Sequence, residues 1–97
     1  MITRIVKMSF VPKKTNEFLE VFNDSKDKIA SVDGIISLEL LQDINNKNIF
    51  FTISKWENEN FLEKYRKSEL FKSTWNKTKI LFNEKPDAWS TETIFKK

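Results

Sequence analysis

The sequence lacks cysteine and histidine and contains a single glycine, Gly34. Without cysteine, the chain cannot form disulfides, thiolate nucleophiles or zinc–thiolate sites. Without histidine, it cannot build a Ser-His-Asp triad, an imidazole general base or a histidine-ligated metal or haem site. A single glycine also excludes the glycine-rich loops that bind dinucleotides and phosphates. An enzyme with this sequence must therefore use other polar side chains, or depend on the reactivity of its own substrate.

The length and hydropathy predict one globular domain, which we expect to span residues 1–97. Hydrophobic residues make up 39% of the chain, and nine Phe, three Trp and one Tyr supply much of that share. No run approaches the roughly 18 consecutive apolar residues of a membrane span. The N-terminal segment also lacks a signal-peptide pattern. We therefore expect a cytoplasmic protein without a membrane partner.

The charge pattern gives no indication of a nucleic-acid partner. The net charge is only +3, from 17 basic and 14 acidic residues that are mixed along the chain. A nucleic-acid-binding domain more typically has a one-sided basic patch that is rich in arginine. Basic residues concentrate at Lys64, Arg66, Lys67, Lys72, Lys77 and Lys79, but Glu63 and Glu69 interrupt them. We interpret this segment as the solvent-exposed face of a helix.

The hydrophobic periodicity predicts four strands and two helical regions. The strands are expected at residues 2–10, 35–42, 49–56 and 91–96, and the helical regions at residues 15–31 and 58–82. Thr15 and either Asn58 or Asn60 are candidate N-caps, and Ser68 is a candidate cap that would restart the second helical region. Gly34 supplies a positive φ after the first helix. The order β-α-β-β-α-β predicts an α+β, ferredoxin-like fold with an antiparallel sheet and two helices on one face.

Both faces of the predicted sheet carry apolar residues. The main apolar set is Ile2, Val6, Met8, Phe10, Ile36, Leu38, Leu40, Ile49, Phe51 and Ile53, and the opposite set is Ile5, Ile35, Leu41, Phe50 and Trp56. An antiparallel sheet with one solvated face normally alternates apolar and polar residues along each strand. Because two helices can cover only one face, we predict a homodimer in which the second face packs against its copy.

The second helical region carries aromatic and hydroxyl side chains at the spacing of one helix face. These residues are Phe61, Tyr65, Ser68, Phe71, Trp75, Thr78 and Phe82. Such a stripe is usually ordinary core, but it can also line a pocket between helix and sheet, where the polar tips of Tyr65 and Trp75 would need partners. The acidic residues Glu17, Glu20, Asp24 and Asp27 also share a face of the first helix, and we interpret them as solvated rather than as a cation site.

Arg4 is a third candidate for a functional residue, because it lies in the middle of an apolar strand on the same side as Val6 and Met8. An arginine in that position usually forms an interface ion pair or extends its charge to the strand end. The alternative is that Arg4 contacts an anionic group of a substrate.

The segment Ile49-Phe50-Phe51-Thr52-Ile53-Ser54-Lys55-Trp56, followed by Leu62, Tyr65, Ser68 and Phe71, resembles the antibiotic biosynthesis monooxygenase family. The resemblance covers essentially the whole chain in length and element order. It implies the dimeric α+β barrel form of the ferredoxin-like fold. It also implies oxygenation of small quinol-like or polyphenolic aromatics by molecular oxygen, with no metal, flavin or haem cofactor.

The resemblance leads to named site residues, although several family positions differ here. Many members have histidine where this chain has Tyr65 and Leu70, and glutamate where it has Ser54. A haem-degrading branch of the superfamily has Asn, Trp and His where this chain has Lys7, Tyr65 and Trp75, which disfavours haem degradation.

We predict Tyr65 as the catalytic phenol, acting as donor or base. Trp75, Trp56 and Phe71 would be aromatic walls of the substrate site, and Arg4 would be an anion partner. The alternative is a non-catalytic dimeric ligand-binding or stress-associated module of the same fold.

Overall fold

A computed structural model, which describes all residues 1–97, contains one four-stranded antiparallel sheet with helices on one face. The strands are β1 (Ile2–Ser9), β2 (Ile35–Gln42), β3 (Ile49–Trp56) and β4 (Asp87–Thr91). The helices are α1 (Thr15–Ala30), α2 (Glu59–Arg66) and α3 (Glu69–Lys79), and a 3-10 turn at Pro12–Lys14 precedes α1. The strand order β2-β3-β1-β4, with every neighbouring pair antiparallel, confirms the predicted α+β ferredoxin-like fold. None of the three α-helices combines the length and the hydropathy that crossing a bilayer requires.

Side-chain caps divide the second helical region into α2 and α3. Asn58 accepts a hydrogen bond from the backbone N–H of Phe61 at 3.2 Å, so the first of the two predicted caps is the one used. The Ser68 hydroxyl accepts from the N–H of Phe71 at 3.1 Å and donates to the carbonyl of Tyr65 at 2.6 Å. Ser68 therefore ends one helix and begins the next, as a residue that is favoured at caps and not inside helices should.

One local prediction about the backbone was wrong, and one is confirmed. Thr15 does not cap α1: it is the first helical residue, and its hydroxyl donates to the carbonyl of Pro12 at 3.2 Å. Gly34 has φ +85°, as predicted, and its missing side chain leaves room for the ring of Phe61.

An aromatic core joins α1 to the sheet. Its fully buried members are Met8, Phe10, Phe18, Phe50 and Leu81. The rings of Phe10 and Phe18 stack at a centroid distance of 4.2 Å, and Phe50 contacts Phe18 at 5.1 Å. These contacts hold α1 across the Met8 end of β1, while the other half of the sheet faces α2 and α3.

The register of β3 corrects the predicted assignment of its faces. Phe50 pairs with Met8 and Trp56 pairs with Ile2, so both lie on the face that the helices cover. Residues Ile49, Phe51 and Ile53 therefore lie on the open face, the reverse of the prediction. Alternation separates the two faces within one strand, but only the register shows which face continues into the next strand.

A register shift corrects the start of β2. The pairing of β2 with β3 shifts between Ile35 and Ser37, so Ile36 lies in an irregularity and is 48% exposed instead of joining the main apolar set. Ile35 pairs with Trp56 and thus belongs to the helix-covered side, not to the opposite set. Leu38 and Leu40 do face the helices, as predicted.

The last strand lies earlier in the chain than predicted. It spans Asp87–Thr91, not residues 91–96, and pairs with Thr3–Lys7 of β1. Trp89 therefore pairs with Ile5 on the open face. Residues Ile94 and Phe95, whose alternation suggested the strand, follow it and are exposed.

Candidate functional site

A cavity of about 320 Å³ lies between the helix-covered face of the sheet and the three helices. Small-molecule sites typically begin at about this size, roughly 300 Å³. Its lining combines apolar, aromatic and a few polar side chains: Arg4, Val6, Met8, Phe18, Phe22, Ile29, Leu38, Thr52, Ser54, Trp56, Leu62, Tyr65, Arg66, Phe71, Thr74, Trp75, Thr78, Pro86 and Ala88.

The floor of the cavity follows from strand alternation and register. Arg4 and Val6 of β1 point to the same face because residues two apart share a face. Arg4 pairs with Ser54 and Val6 pairs with Thr52, so polar side chains of β3 lie beside both of them. The sheet thus presents a partly polar floor next to the fully apolar core.

Four aromatic rings form a continuous wall above this floor. Trp56 stacks on Tyr65 with ring centroids 5.2 Å apart. Tyr65 meets the edge of Phe71 at 5.3 Å, and Phe71 stacks on Trp75 at 5.9 Å with an interplanar angle of 11°. The break between α2 and α3 at Ser68 brings Tyr65 and Phe71 into this contact. The aromatic stripe is therefore both core and cavity wall.

Trp56 and Tyr65, which stack on each other, differ in burial. Trp56 is almost fully buried, and its indole N–H donates to the Ser54 hydroxyl at 2.9 Å. Ser54 thus anchors the Trp56 ring. Tyr65 is only partly buried and also borders a smaller pocket of about 170 Å³ next to Asp33 and Lys64.

Burial raises the pKa of Tyr65 to about 12. A tyrosine phenol is neutral at physiological pH even at its ordinary pKa of 10.0, and burial disfavours the charged phenolate further. A neutral phenol donates a hydrogen bond but is a poor general base. Both predicted roles of Tyr65 stay predictions, and burial favours the donor over the base.

Arg4 and Arg66 bring two guanidinium groups to the same cavity. Arg4 donates from Nη1 to the Ser90 hydroxyl at 3.0 Å, and Arg66 donates from Nη1 to Glu63 Oε1 at 3.1 Å. The pKa of Arg4 is lowered, first by burial and second by the positive charge of Arg66, while Glu63 partly opposes both effects. The cavity therefore has a positive region on the sheet side of α2.

No carboxylate or imidazole lines this cavity. Its ionisable lining groups are Arg4, Arg66 and Tyr65. No group of three or more acidic residues in the chain is arranged to hold a metal ion, and Glu17, Glu20, Asp24 and Asp27 are all exposed, as predicted. The two guanidinium groups and the phenol can therefore donate hydrogen bonds to an anion, but no side chain of the site is a base at neutral pH.

All five predicted site residues, Tyr65, Trp75, Trp56, Arg4 and Phe71, line this cavity. The sequence analysis missed Arg66, which it placed with the lysines on a solvated helix face. All six basic residues of that segment, Arg66 included, are exposed, as predicted. Arg66, the last residue of α2, also borders the cavity, which the lysines do not. Thr52 and Thr74 were also missed, and their hydroxyls carry no sequence signal that separates them from surface threonines.

Comparison with known proteins connects this geometry to a family. A family model described as antibiotic biosynthesis monooxygenase matches residues 1–77. The sequence matches no curated protein.

Solved structures share the fold at low sequence identity. A crystal structure of an antibiotic biosynthesis monooxygenase superposes with a TM-score of 0.91 at 14% identity, covering 97% of this chain and 99% of that one. A Nitrosomonas europaea protein assigned to the same family gives 0.90 at 14% identity, covering 98% and 100% of the two chains. A conserved protein from Methanosarcina mazei gives 0.88 at 20% identity, covering 94% and 91%. At such identities the likeness establishes the fold alone.

Proposed function

The chain belongs to the antibiotic biosynthesis monooxygenase family, and from this membership we propose that it is a cofactor-independent monooxygenase of small quinol-like or polyphenolic aromatics. The observation that carries the proposal is the cavity of about 320 Å³, with its four-ring aromatic wall and a polar edge of one phenol and two guanidinium groups. Aromatic walls suit a planar substrate, and the polar edge suits an oxygen substituent that becomes negative.

The proposed reaction uses electrons from the substrate alone. A dihydroxyaromatic that has lost a proton transfers an electron to molecular oxygen, and the two radicals combine at a ring carbon. Loss of water then leaves a hydroxyquinone, so one oxygen atom enters the ring and the other leaves as water with two substrate hydrogens. The protein contributes an enclosed apolar site, a hydrogen-bond donor and positive charge for the substrate oxyanion.

Each predicted site residue has a role in this scheme. Tyr65 donates a hydrogen bond to the developing oxyanion, and burial, which raises its pKa, disfavours loss of the donated proton. Trp56, Phe71 and Trp75 hold the substrate ring, and Arg4 attracts the anion. The proposed partners are thus a small aromatic substrate and oxygen.

Oxygen consumption tests the proposal directly. We expect the wild-type protein to consume oxygen with at least one member of a panel of anthrones and dihydroxyaromatics in metal-chelated buffer. Tyr65→Phe keeps the ring that stacks on Trp56 but removes the donor, and loss of one preorganised donor costs about 10²–10³ in rate in well-studied sites. We expect at least a tenfold decrease in uptake, with unchanged circular dichroism as the control for folding. Equal rates in the two proteins would remove Tyr65 from the mechanism.

The second candidate function is a non-catalytic module that binds small aromatic ligands. The absence of a carboxylate or imidazole from the cavity lining favours it, because nothing in the site removes a substrate proton at neutral pH. Oxygen uptake decides between the two candidates: no uptake on any member of the panel, with ligand binding retained, supports the module.

We also propose that the chain forms a homodimer through the open face of the sheet. Its apolar residues are Ile5, Leu41, Ile49, Phe51, Ile53 and Trp89, of which Leu41 and Trp89 are 44% and 47% exposed. Charged residues, among them Glu39, Lys55, Lys7 and Asp87, lie around them. An apolar centre with a charged rim is the usual composition of a protein interface. A cytoplasmic location and a single domain over residues 1–97 remain predictions.

A further inference from the structure

We infer that Arg4 and Arg66 together form an oxyanion subsite, so that the ligand of this cavity carries a negatively charged oxygen substituent, a carboxylate or an ionised hydroxyl. This inference rests on the proposed function for the aromatic nature of the ligand. It extends that function by adding Arg66 and by giving the ligand a charge.

The positions of the two side chains support a joint site. Arg4 comes from the middle of β1 and Arg66 from the last turn of α2, and both line the same cavity. Ser90 on β4 holds Arg4 through Nη1, and Glu63, one turn earlier on α2, holds Arg66 through Nη1. A guanidinium group has five N–H donors, so each arginine retains donors for a ligand after these single contacts. Each guanidinium group is therefore oriented by a neighbouring side chain before a ligand binds, Arg4 by Ser90 of the adjacent strand and Arg66 by Glu63 of its own helix.

The charged groups around the subsite give it a net positive charge. The charged residues that line the cavity are Arg4 of β1 and Arg66 of α2. No lining residue of α1, β2, β3, α3 or β4 is charged, and the phenol of Tyr65 is neutral. Glu63 is the one acidic group that acts on the pair. It is bound to Arg66 and half exposed, so it balances one of the two positive charges. An oxyanion between the two guanidinium groups would balance the other.

The absence of a base from the cavity lining also favours an anionic ligand. A substrate that arrives already ionised, or that loses its proton because two positive charges stabilise the anion, needs no carboxylate or imidazole in the cavity. The subsite thus accounts for how an oxidisable aromatic could be activated here.

Ligand binding without oxygen tests the subsite separately from turnover. The probes are a dihydroxybenzoate and the corresponding dihydroxybenzamide, which differ in charge but little in shape. Anaerobic titration, followed by calorimetry or by the tryptophan fluorescence, to which Trp56 and Trp75 of the cavity wall contribute together with Trp89, gives the affinity for each probe. We expect the benzoate to bind at least about tenfold more tightly than the benzamide at neutral pH, since hydrogen bonds between charged groups are worth about 1.5–3 kcal/mol.

Three variants test whether Arg66 produces the preference for the benzoate. Arg66→Gln should abolish most of the preference for the benzoate, and Arg66→Lys should retain part of it. Lys67→Gln makes the same change in net charge at the next residue, which is exposed and outside the cavity lining, and should retain the full preference. This control separates recognition by Arg66 from a general effect of protein charge.

The pH dependence distinguishes the two sources of the oxyanion. If an ionised hydroxyl binds the subsite, the benzamide gains affinity as pH rises through the pKa of its own hydroxyl. If only a carboxylate binds, the benzamide stays weak at every pH while the benzoate keeps its preference. Either pattern supports the subsite.

Several results would overturn the inference: wild-type protein that binds both probes equally at every pH, wild-type protein that binds neither, or a preference unchanged in Arg66→Gln. The proposed monooxygenase activity fails independently of this. Charge-selective binding without any oxygen uptake would leave the subsite in place and reject the oxygenase, and oxygen uptake without charge selectivity would do the reverse.

Discussion

Titration of Tyr65 is a direct physical test of the site, because this residue is the only tyrosine in the chain. The near-ultraviolet absorbance of tyrosinate therefore reports a single group. Burial raises its pKa from the ordinary value of 10.0 to about 12 in the folded protein. We expect the folded protein to titrate near this higher value, and the protein unfolded in denaturant to titrate near 10.

The same shift predicts how stability changes at alkaline pH. Between pH 10 and about 12 the unfolded chain has lost the Tyr65 proton and the folded protein has kept it. Because the folded state binds more protons in this range, the free energy of unfolding falls as pH rises. The contribution of Tyr65 is fully present below pH 10 and is lost by about pH 12. Two pKa units correspond to about 2.7 kcal/mol, an upper value because the ring is partly exposed.

Tyr65→Phe is the matched control for both measurements. The variant keeps the aromatic stack on Trp56 but has no group to titrate, so its absorbance should not change and its stability should decline less between pH 10 and 12. Both proteins contain the same other ionisable groups, so the comparison cancels their effect. A folded-state pKa near 10 would refute the burial of the phenol, and with it the reason for preferring the donor role of Tyr65 over the base.

Two further predictions concern assembly and the anchoring of the cavity wall. In sedimentation at micromolar concentration we expect a species of about twice 11.6 kDa. Phe51→Glu, which places a charge on the open face of the sheet, should shift it towards the monomer, whereas a wild-type monomer with cooperative unfolding would contradict the proposed interface. Ser54→Ala should lower the free energy of unfolding by about 1–3 kcal/mol, because it leaves the buried indole N–H of Trp56 without an acceptor. Denaturant titration measures this loss, Ser54→Thr is the conservative control, and an unchanged midpoint in Ser54→Ala would show that the hydrogen bond contributes nothing.

Local sequence signals predicted the elements well where the cause of the structure is itself local. Asn58 and Ser68 cap helices because their own side chains bind N–H groups three residues away. Gly34 takes a positive φ because only glycine does so without steric cost. The spacing of Tyr65, Phe71 and Trp75 likewise placed them on one side of the second helical region, and all three line the cavity.

Local sequence signals failed where pairing with a second strand determines the structure. Phe50 and Phe51 are adjacent and equally apolar, so alternation within β3 could not show which of them faces the helices. The choice follows from pairing with β1, which places Phe50 opposite Met8. The position of β4 failed for the same reason, since its bounds depend on which residues pair with Thr3–Lys7.

The sequence alone is sufficient to predict the order of the elements and the chemistry that the protein cannot perform, because both depend on residue types and their spacing along the chain. It also predicts that both faces of the sheet are apolar. The three-dimensional fold sets which residues lie on each face. It also decided that Arg66 joins Arg4 at one cavity, although 61 positions separate them in sequence. Register and the packing of α2 over the sheet create that proximity, and no local pattern encodes the distance between two side chains on different elements.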